Sequence, residues 1–139
     1  MMLKKLFKAF AIALLLVNAS LAFSGVTDPL FINLSTDEPP RASMAIHFGM
    51  HHSSNGHPLT IFLNDKAVIL GVKAGSTQFA EQQKGLTEAI SRGALVIMCP
   101  ICLKQAGYTE LDLLSGVKLG GPKITGDALF RDGTKTMSW

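Results

Sequence analysis

Short apolar runs separated by helical patterns constrain the fold of this chain more than any other feature. Residues 30–37, 57–65 and 94–98 read LFINLSTD, HPLTIFLND and ALVIM, and each run is bounded by turn-forming residues. The third run is apolar throughout, as expected for a strand that is covered on both faces. Between these runs, apolar residues recur at helical spacing in segments 41–56 and 77–93. This alternation predicts an α/β three-layer sandwich around a mainly parallel sheet of about five strands.

The remaining segments are shorter and complete the predicted sheet. Residues 66–76 predict a short helix followed by a Gly-rich loop, and VKLGGP at 117–122 predicts a fourth strand that leads into a turn. The segment TGDALF at 125–130 is expected to form a short helix or a turn, and TKTMSW at 134–139 a last edge strand. No internal repeat or low-complexity segment is present in the sequence.

The first 22 residues have the pattern of a secretory signal peptide. Lysines at positions 4, 5 and 8 precede an uncharged run over residues 9–17, which is too short to span a bilayer comfortably. Ser20 and Ala22 supply the small residues that a signal peptidase requires, so cleavage is expected after Ala22. An uncleaved amino-terminal anchor is the alternative. The prediction is a signal peptide at 1–22 and one domain at 23–139, located in the periplasm or secreted.

Removing this signal changes the charge balance of the chain. The sequence has 13 basic and 10 acidic residues, and three of the basic residues but none of the acidic ones lie within residues 1–22. The remaining chain therefore has equal numbers of the two charges and no excess of positive charge for phosphate neutralisation. This balance argues against nucleic acid as a partner and against a role at the membrane surface after cleavage.

The two cysteines, Cys99 and Cys102, are the candidate reactive groups. Cys99 directly follows the run ALVIM, and Pro100 suits the first position of a helix. The spacing therefore makes Cys99 the N-cap and Cys102 the third residue of a short helix that ends near Gly107. The amino terminus of a helix stabilises a thiolate, so a lowered cysteine pKa is expected there, and Lys104 one turn on would add to the effect.

Other roles of a cysteine pair are zinc binding, haem attachment, thioredoxin-like redox chemistry and a structural disulfide. Two thiolates supply half of a tetrahedral zinc site, and no second pair lies at suitable spacing. Haem attachment is excluded because position 103 is Leu rather than His. A thioredoxin-like dithiol would follow the first strand of the domain, whereas this pair follows the third. A passive disulfide stays open, because disulfides persist outside the cytosol.

The segments GHPLTIFLND and RGALVIMCPICLKQAG resemble the DsrE/DsrF-like sulfur-relay family, and specifically its small exported members. The resemblance runs from Phe31 to Trp139. It implies a five-stranded α/β fold, assembly as a homotrimer or homohexamer, and a persulfide-carrying cysteine that corresponds to Cys99. Two features depart from the sulfur-relay members of the family, which usually work in the cytoplasm with partner subunits: the predicted export, and the additional thiol of Cys102.

The predicted function is therefore an exported sulfur or thiol carrier without a cofactor. Cys99 accepts sulfane sulfur from a donor protein or a small sulfur species, and Cys102 is a possible resolving thiol that releases it. Two alternatives are a structural or assembly module with a Cys99–Cys102 disulfide, and a protein that handles copper or zinc.

The stretch MAIHFGMHH provides the residues for the metal alternative. His47 and His51 are four positions apart on one helical face, and with methionine they suit copper(I). The favoured interpretation is that Met44, His47 and Phe48 pack on the sheet, so no metal site is predicted. Self-association is expected to use apolar side chains that one sheet cannot cover, with these candidates: Phe79, Leu86, Met137 and Trp139.

Overall fold

The computed structural model describes residues 27–139, so the predicted signal peptide lies outside the described residues. Five parallel strands form one sheet in the order β4-β3-β2-β1-β5. The strands are β1 (Leu30–Leu34), β2 (Leu59–Leu63), β3 (Leu95–Met98), β4 (Lys118–Leu119) and β5 (Lys135–Ser138). The predicted α/β class and strand number are confirmed, and β5 is an edge strand as expected.

Four α-helices connect these strands: α1 (Pro39–Ser54), α2 (Ala80–Ser91), α3 (Pro100–Gln105) and α4 (Pro122–Leu129). Short 3₁₀ segments cover Asp65–Gly71, Lys73–Gly75 and Glu110–Asp112. Pro39 and Pro40 form the first turn of α1. Proline is accepted there because the first N–H groups of a helix have no intrahelical partner.

The strand order fixes the positions of the helices. The chain moves in one direction from β1 to β4, and right-handed crossovers then place α1 and α2 on the same face of the sheet, where they pack against each other. It then returns to the far side of β1 to form β5, and α4 crosses the opposite face beside Thr60 and Leu95. The result is three layers with the sheet in the middle.

The main core lies between the sheet and the helix pair α1 and α2. Alternate strand residues point into it and are fully buried, among them Ile32, Ile61 and Val96. Phe79 and Leu86 also belong to this core. Their proposed role as uncovered surface for self-association is therefore wrong, because α2 turns both side chains toward the sheet.

The opposite face of the sheet is covered less completely. Thr60, Phe62 and Leu95 point to this side and are only partly buried. The covering helix α4 has only eight residues, and none of them is fully buried. Phe130, which follows α4, is 81% exposed. The second layer of helix therefore leaves apolar surface open to solvent.

Within residues 27–139, no helix is long and apolar enough to cross a membrane.

Candidate functional site

Cys99 lies at the carboxyl edge of the sheet, directly after β3. Its backbone N–H donates to the Leu63 carbonyl at the end of β2 (2.9 Å), and the Gly120 N–H donates to the Met98 carbonyl (2.8 Å). These bonds hold Cys99 between the end of β2 and the Gly120–Gly121 turn that follows β4. In parallel α/β sheets this edge is where ligands and reactive groups gather.

Helix α3 holds the second cysteine next to the first. Cys99 is the N-cap, as predicted, and its sulfur accepts a hydrogen bond from the Cys102 backbone N–H at 3.3 Å. Leu103 is buried and attaches the helix to the core. The helix stops at Gly107, whose φ of +83° suits glycine at a helix end. The local sequence therefore places both sulfurs together at the first turn of α3.

The two sulfur atoms are close but are not bonded to each other. Cys99 Sγ and Cys102 Sγ are 2.6 Å apart, compared with about 2.05 Å in a disulfide. Both side chains are partly exposed, and Ile101 between them is 68% exposed. The pair is therefore accessible to another molecule, and a small side-chain rotation would bring the sulfurs into bonding distance.

The pKa of Cys99 differs from the sequence prediction. Burial raises the pKa of this thiol above its ordinary value of 9.0, and the neighbouring Cys102 thiol raises it further. The hydrogen bond from the Cys102 backbone N–H lowers the pKa, but the effect of burial is larger. The expected lowering at the helix terminus is therefore wrong. The six residues of α3 form a short dipole, and the Lys104 side chain is exposed one turn further on.

An asparagine that the sequence interpretation missed supports this edge. The Asn64 side-chain amide donates to Asn33 Oδ1 (2.6 Å) and to the Leu34 carbonyl (3.2 Å), so it ties the ends of β1 and β2 together. Asp65 follows with a positive φ of 48°, which is uncommon for a non-glycine residue. The sequence signal was the Asn-Asp pair directly after an apolar run.

A metal ion bound at Cys99 and Cys102 would have only their two sulfur atoms as side-chain ligands from the described residues. Among residues 27–139, no three His, Cys, Asp or Glu side chains are arranged to hold a metal ion. A closed tetrahedral zinc site needs four such ligands. The described part of the chain therefore does not assemble a structural zinc centre around Cys99 and Cys102.

Met44 and His47 on α1 do not pack on the sheet, contrary to the prediction from the sequence. The residues that pack on the sheet are Ala42, Ala45, Ile46 and Gly49. Met44 is 63% exposed, and the side chains of His47 and His51 are also exposed. His52 is half-buried, and the centroid of its ring is 4.4 Å from that of Phe48. The packing interpretation of Met44 and His47 is wrong, since three small residues and Ile46 form the buried stripe of α1.

Solved structures share this fold at low sequence identity. The protein of unknown function MTH1491 from Methanobacterium thermoautotrophicum is 14% identical with a TM-score of 0.67, and the alignment covers 80% of this chain and 98% of that one. The conserved protein of unknown function BT1422 from Bacteroides thetaiotaomicron is 18% identical with a TM-score of 0.64, covering 81% and 95%. The ychN protein from E. coli is 15% identical with a TM-score of 0.64, covering 81% and 99%. At these identities the likeness establishes the fold alone.

No curated protein sequence matches this chain. A protein-family model does match it: the model of the DsrE/DsrF-like family aligns with residues 30–132. That range begins at β1, contains both cysteines and ends just after α4. It covers well over half of the chain, and the resemblance to the DsrE/DsrF-like family is thereby confirmed. The chain belongs to the DsrE/DsrF-like family.

Proposed function

We propose that this protein is an exported sulfur or thiol carrier, in which Cys99 receives and passes on sulfane sulfur. Family membership supports a role related to sulfur relay. The observation that carries the finer proposal is the position of Cys99, which is partly exposed at the carboxyl edge of the sheet with a second thiol 2.6 Å away. Thiol exchange requires this kind of accessible sulfur.

Loading exchanges one sulfur–sulfur bond for another. The Cys99 thiol loses its proton, and its thiolate attacks the outer sulfur of a donor persulfide, R–S–SH. The donor S–S bond breaks, and R–S⁻ leaves with the bonding electron pair and takes up a proton. Cys99 then carries the group –S–SH. No external oxidant or reductant is needed, because the sulfane sulfur keeps its oxidation state.

Two release routes follow from the geometry. An acceptor thiolate can attack the outer sulfur, which regenerates Cys99 and forms a persulfide on the acceptor. Alternatively, the Cys102 thiolate attacks the Sγ atom of Cys99, forms the Cys99–Cys102 disulfide and expels HS⁻ with the electron pair. The second route leaves the protein oxidised by two electrons, so a dithiol reductant must restore it before another cycle. The 2.6 Å separation of the sulfurs supports a role for Cys102 in this route.

Incubation of the reduced protein with polysulfide, followed by intact-protein mass spectrometry, tests the loading step. The wild type should gain the mass of one or more sulfur atoms or release sulfide as the disulfide forms. Cys102→Ser should retain the added sulfur for longer, because the resolving thiol is missing. Cys99→Ser should take up none. Equal loading of Cys99→Ser and the wild type would refute the assignment of Cys99.

A structural disulfide is a second candidate, and the short distance between the sulfurs favours it equally. A protein of this kind would contain no free thiols when purified without reductant. Its Cys99→Ser variant would lose stability and not sulfur transfer. Thiol titration of the native protein distinguishes the two functions. Two free thiols that reoxidise only slowly after reduction support the carrier. A Cys99–Cys102 pair that is always found as a disulfide supports the structural module.

We also propose self-association as a homotrimer or homohexamer through the thinly covered face of the sheet. Phe130, which follows α4, is 81% exposed, and Ile124 and Leu129 on α4 are only partly buried. Light scattering should give the mass of an oligomer for the wild type and a smaller mass for Phe130→Ser. A wild-type monomer at micromolar concentration would contradict this proposal.

The proposed periplasmic or secreted location depends on residues 1–22, and processing of the expressed precursor after Ala22 would test it.

A further inference from the structure

The outer surface of α1 presents soft metal ligands to solvent. Met44, His47 and His51 follow one another at spacings of three and four residues, so they lie along the same side of the helix, and all three side chains are exposed. We call this set the Met–His face. Together with Pro40 and Phe48 it lines an open groove of about 590 Å³.

Packing within the domain does not account for these side chains. His57 and His52 are held by the fold: the His57 ring contacts the Asp28 carbonyl at 2.8 Å, and His52 lies against Phe48 and His57. The His51 ring meets only the edge of the His52 ring, with centroids 5.5 Å apart. Within residues 27–139 the His47 ring makes no hydrogen bond, ion pair or ring contact. An exposed thioether beside two accessible imidazoles is therefore left without a structural role.

The donor set points to one class of ion. Histidines at i and i+4 have Cβ atoms about 5–6 Å apart, which allows both rings to approach one metal. Met44 adds a thioether one turn before His47, and thioether sulfur is a ligand that copper(I) accepts and magnesium or calcium does not. No carboxylate lines the groove. His52 also lines the groove, but among residues 27–139 no three His, Cys, Asp or Glu side chains are arranged to hold a metal ion such as zinc.

We propose that His47 and His51 chelate copper(I), with the Met44 thioether as the third ligand. The site lies on the outer face of α1 and is separate from the cysteine pair at the carboxyl edge of the sheet. It does not depend on the proposed sulfur carrier function.

The two cysteines would also bind copper(I), and the experiment has to remove them first. In a Cys99→Ser/Cys102→Ser background, copper(I) affinity is measured by competition with a chromophoric copper(I) chelator under reducing, anaerobic conditions. The background protein should bind one ion. His47→Ala should weaken binding by at least about tenfold, the loss typical even of a residue that only supports a metal ligand. Met44→Leu should also weaken copper(I) binding, because it removes the thioether and leaves both imidazoles in place.

Met137→Leu is the matched control, because Met137 is another exposed methionine and lies on β5. It should bind copper(I) as the background protein does. The three substitutions made in this background, at Met44, His47 and Met137, are at exposed positions, where changes of stability are small, and circular dichroism of each variant checks that it is folded. No copper binding by the background protein, or equal affinities for His47→Ala and Met137→Leu, would overturn the proposal. So would a result in which His47→Ala leaves copper affinity intact but dissociates the oligomer, since the Met–His face would then be an interface between copies.

Discussion

Gly120 allows the close approach of two strands beside Cys99, and replacing it with serine should destabilise the protein. A Cβ atom at this position would lie 2.8 Å from the Met98 carbonyl oxygen and 3.1 Å from a side-chain carbon of Ile97. The first of these is a backbone atom of β3, so rotation of a side chain cannot relieve the contact. Moving the backbone would stretch the bond from the Gly120 N–H to the Met98 carbonyl, next to Cys99.

The expected change in the free energy of unfolding combines two effects: overpacking destabilises the folded protein, and the stiffer unfolded chain of the serine variant partly offsets that loss. Forcing extra atoms into a packed site typically costs about 1–3 kcal/mol, and replacing glycine recovers about 0.4–1 kcal/mol through the unfolded state. The net loss is about 1–2 kcal/mol in the free energy of unfolding. For a domain of this size that corresponds to a decrease of about 4–8 °C in the midpoint of thermal unfolding.

Gly121→Ser is the matched control for this prediction. A Cβ atom at Gly121 meets nothing within 4 Å, the backbone there is extended, and serine is favoured at the N-cap of a helix such as α4. Urea and thermal unfolding of both variants by circular dichroism should show a loss for Gly120→Ser alone. If the two variants are equally stable, the close approach of β4 to Met98 is not a constraint and the reasoning is refuted.

Three further predictions concern the surroundings of the cysteines. The alkylation rate of reduced Cys99 follows its thiolate fraction, and the midpoint of its pH dependence should lie above pH 9.0 because burial raises the pKa. Cys102→Ala should lower that midpoint, since the Cys102 thiol also raises the pKa. A midpoint near neutral pH would contradict a raised pKa for Cys99. Leu103→Ala should cost about 2–5 kcal/mol because it empties a buried site under α3, whereas the exposed Gln105→Ala should be within about 0.5 kcal/mol of the wild type in urea unfolding. Asn64→Ala should cost about 1–3 kcal/mol by removing the bridge between β1 and β2, and an unchanged unfolding midpoint would show that water replaces it.

The sequence was sufficient to predict features that depend mainly on residues close together along the chain. The three apolar runs became β1, β2 and β3, because short, mainly apolar runs bounded by turn formers have few other solutions in a compact domain. The N-cap position of Cys99 followed from Pro100 and from the end of β3. The stop at Gly107 followed from the need for a positive φ.

Features that depend on tertiary packing could not be obtained in this way. The direction of the Cys99 pKa is set by burial against elements distant in sequence, which the helix-terminus argument did not include. The orientation of α1 was misjudged because three of its four buried residues, Ala42, Ala45 and Gly49, are small and give only a weak apolar pattern. A Cβ atom at Gly49 would lie within 3 Å of Ile32 and Leu59 side-chain atoms, so the helix lies close to the sheet at this point, while Met44 is left outside.

The most direct test of the central claim is to locate the sulfur after loading. The reduced wild-type protein is treated briefly with polysulfide, its persulfides are trapped with an alkylating agent, and tandem mass spectrometry maps the added sulfur within the peptide that contains both cysteines. The proposed carrier role predicts that the first sulfur is found on Cys99, with the Cys99–Cys102 disulfide appearing afterwards as sulfide is released. Sulfur found first on Cys102, or a peptide that carries no added sulfur at either position, would contradict it.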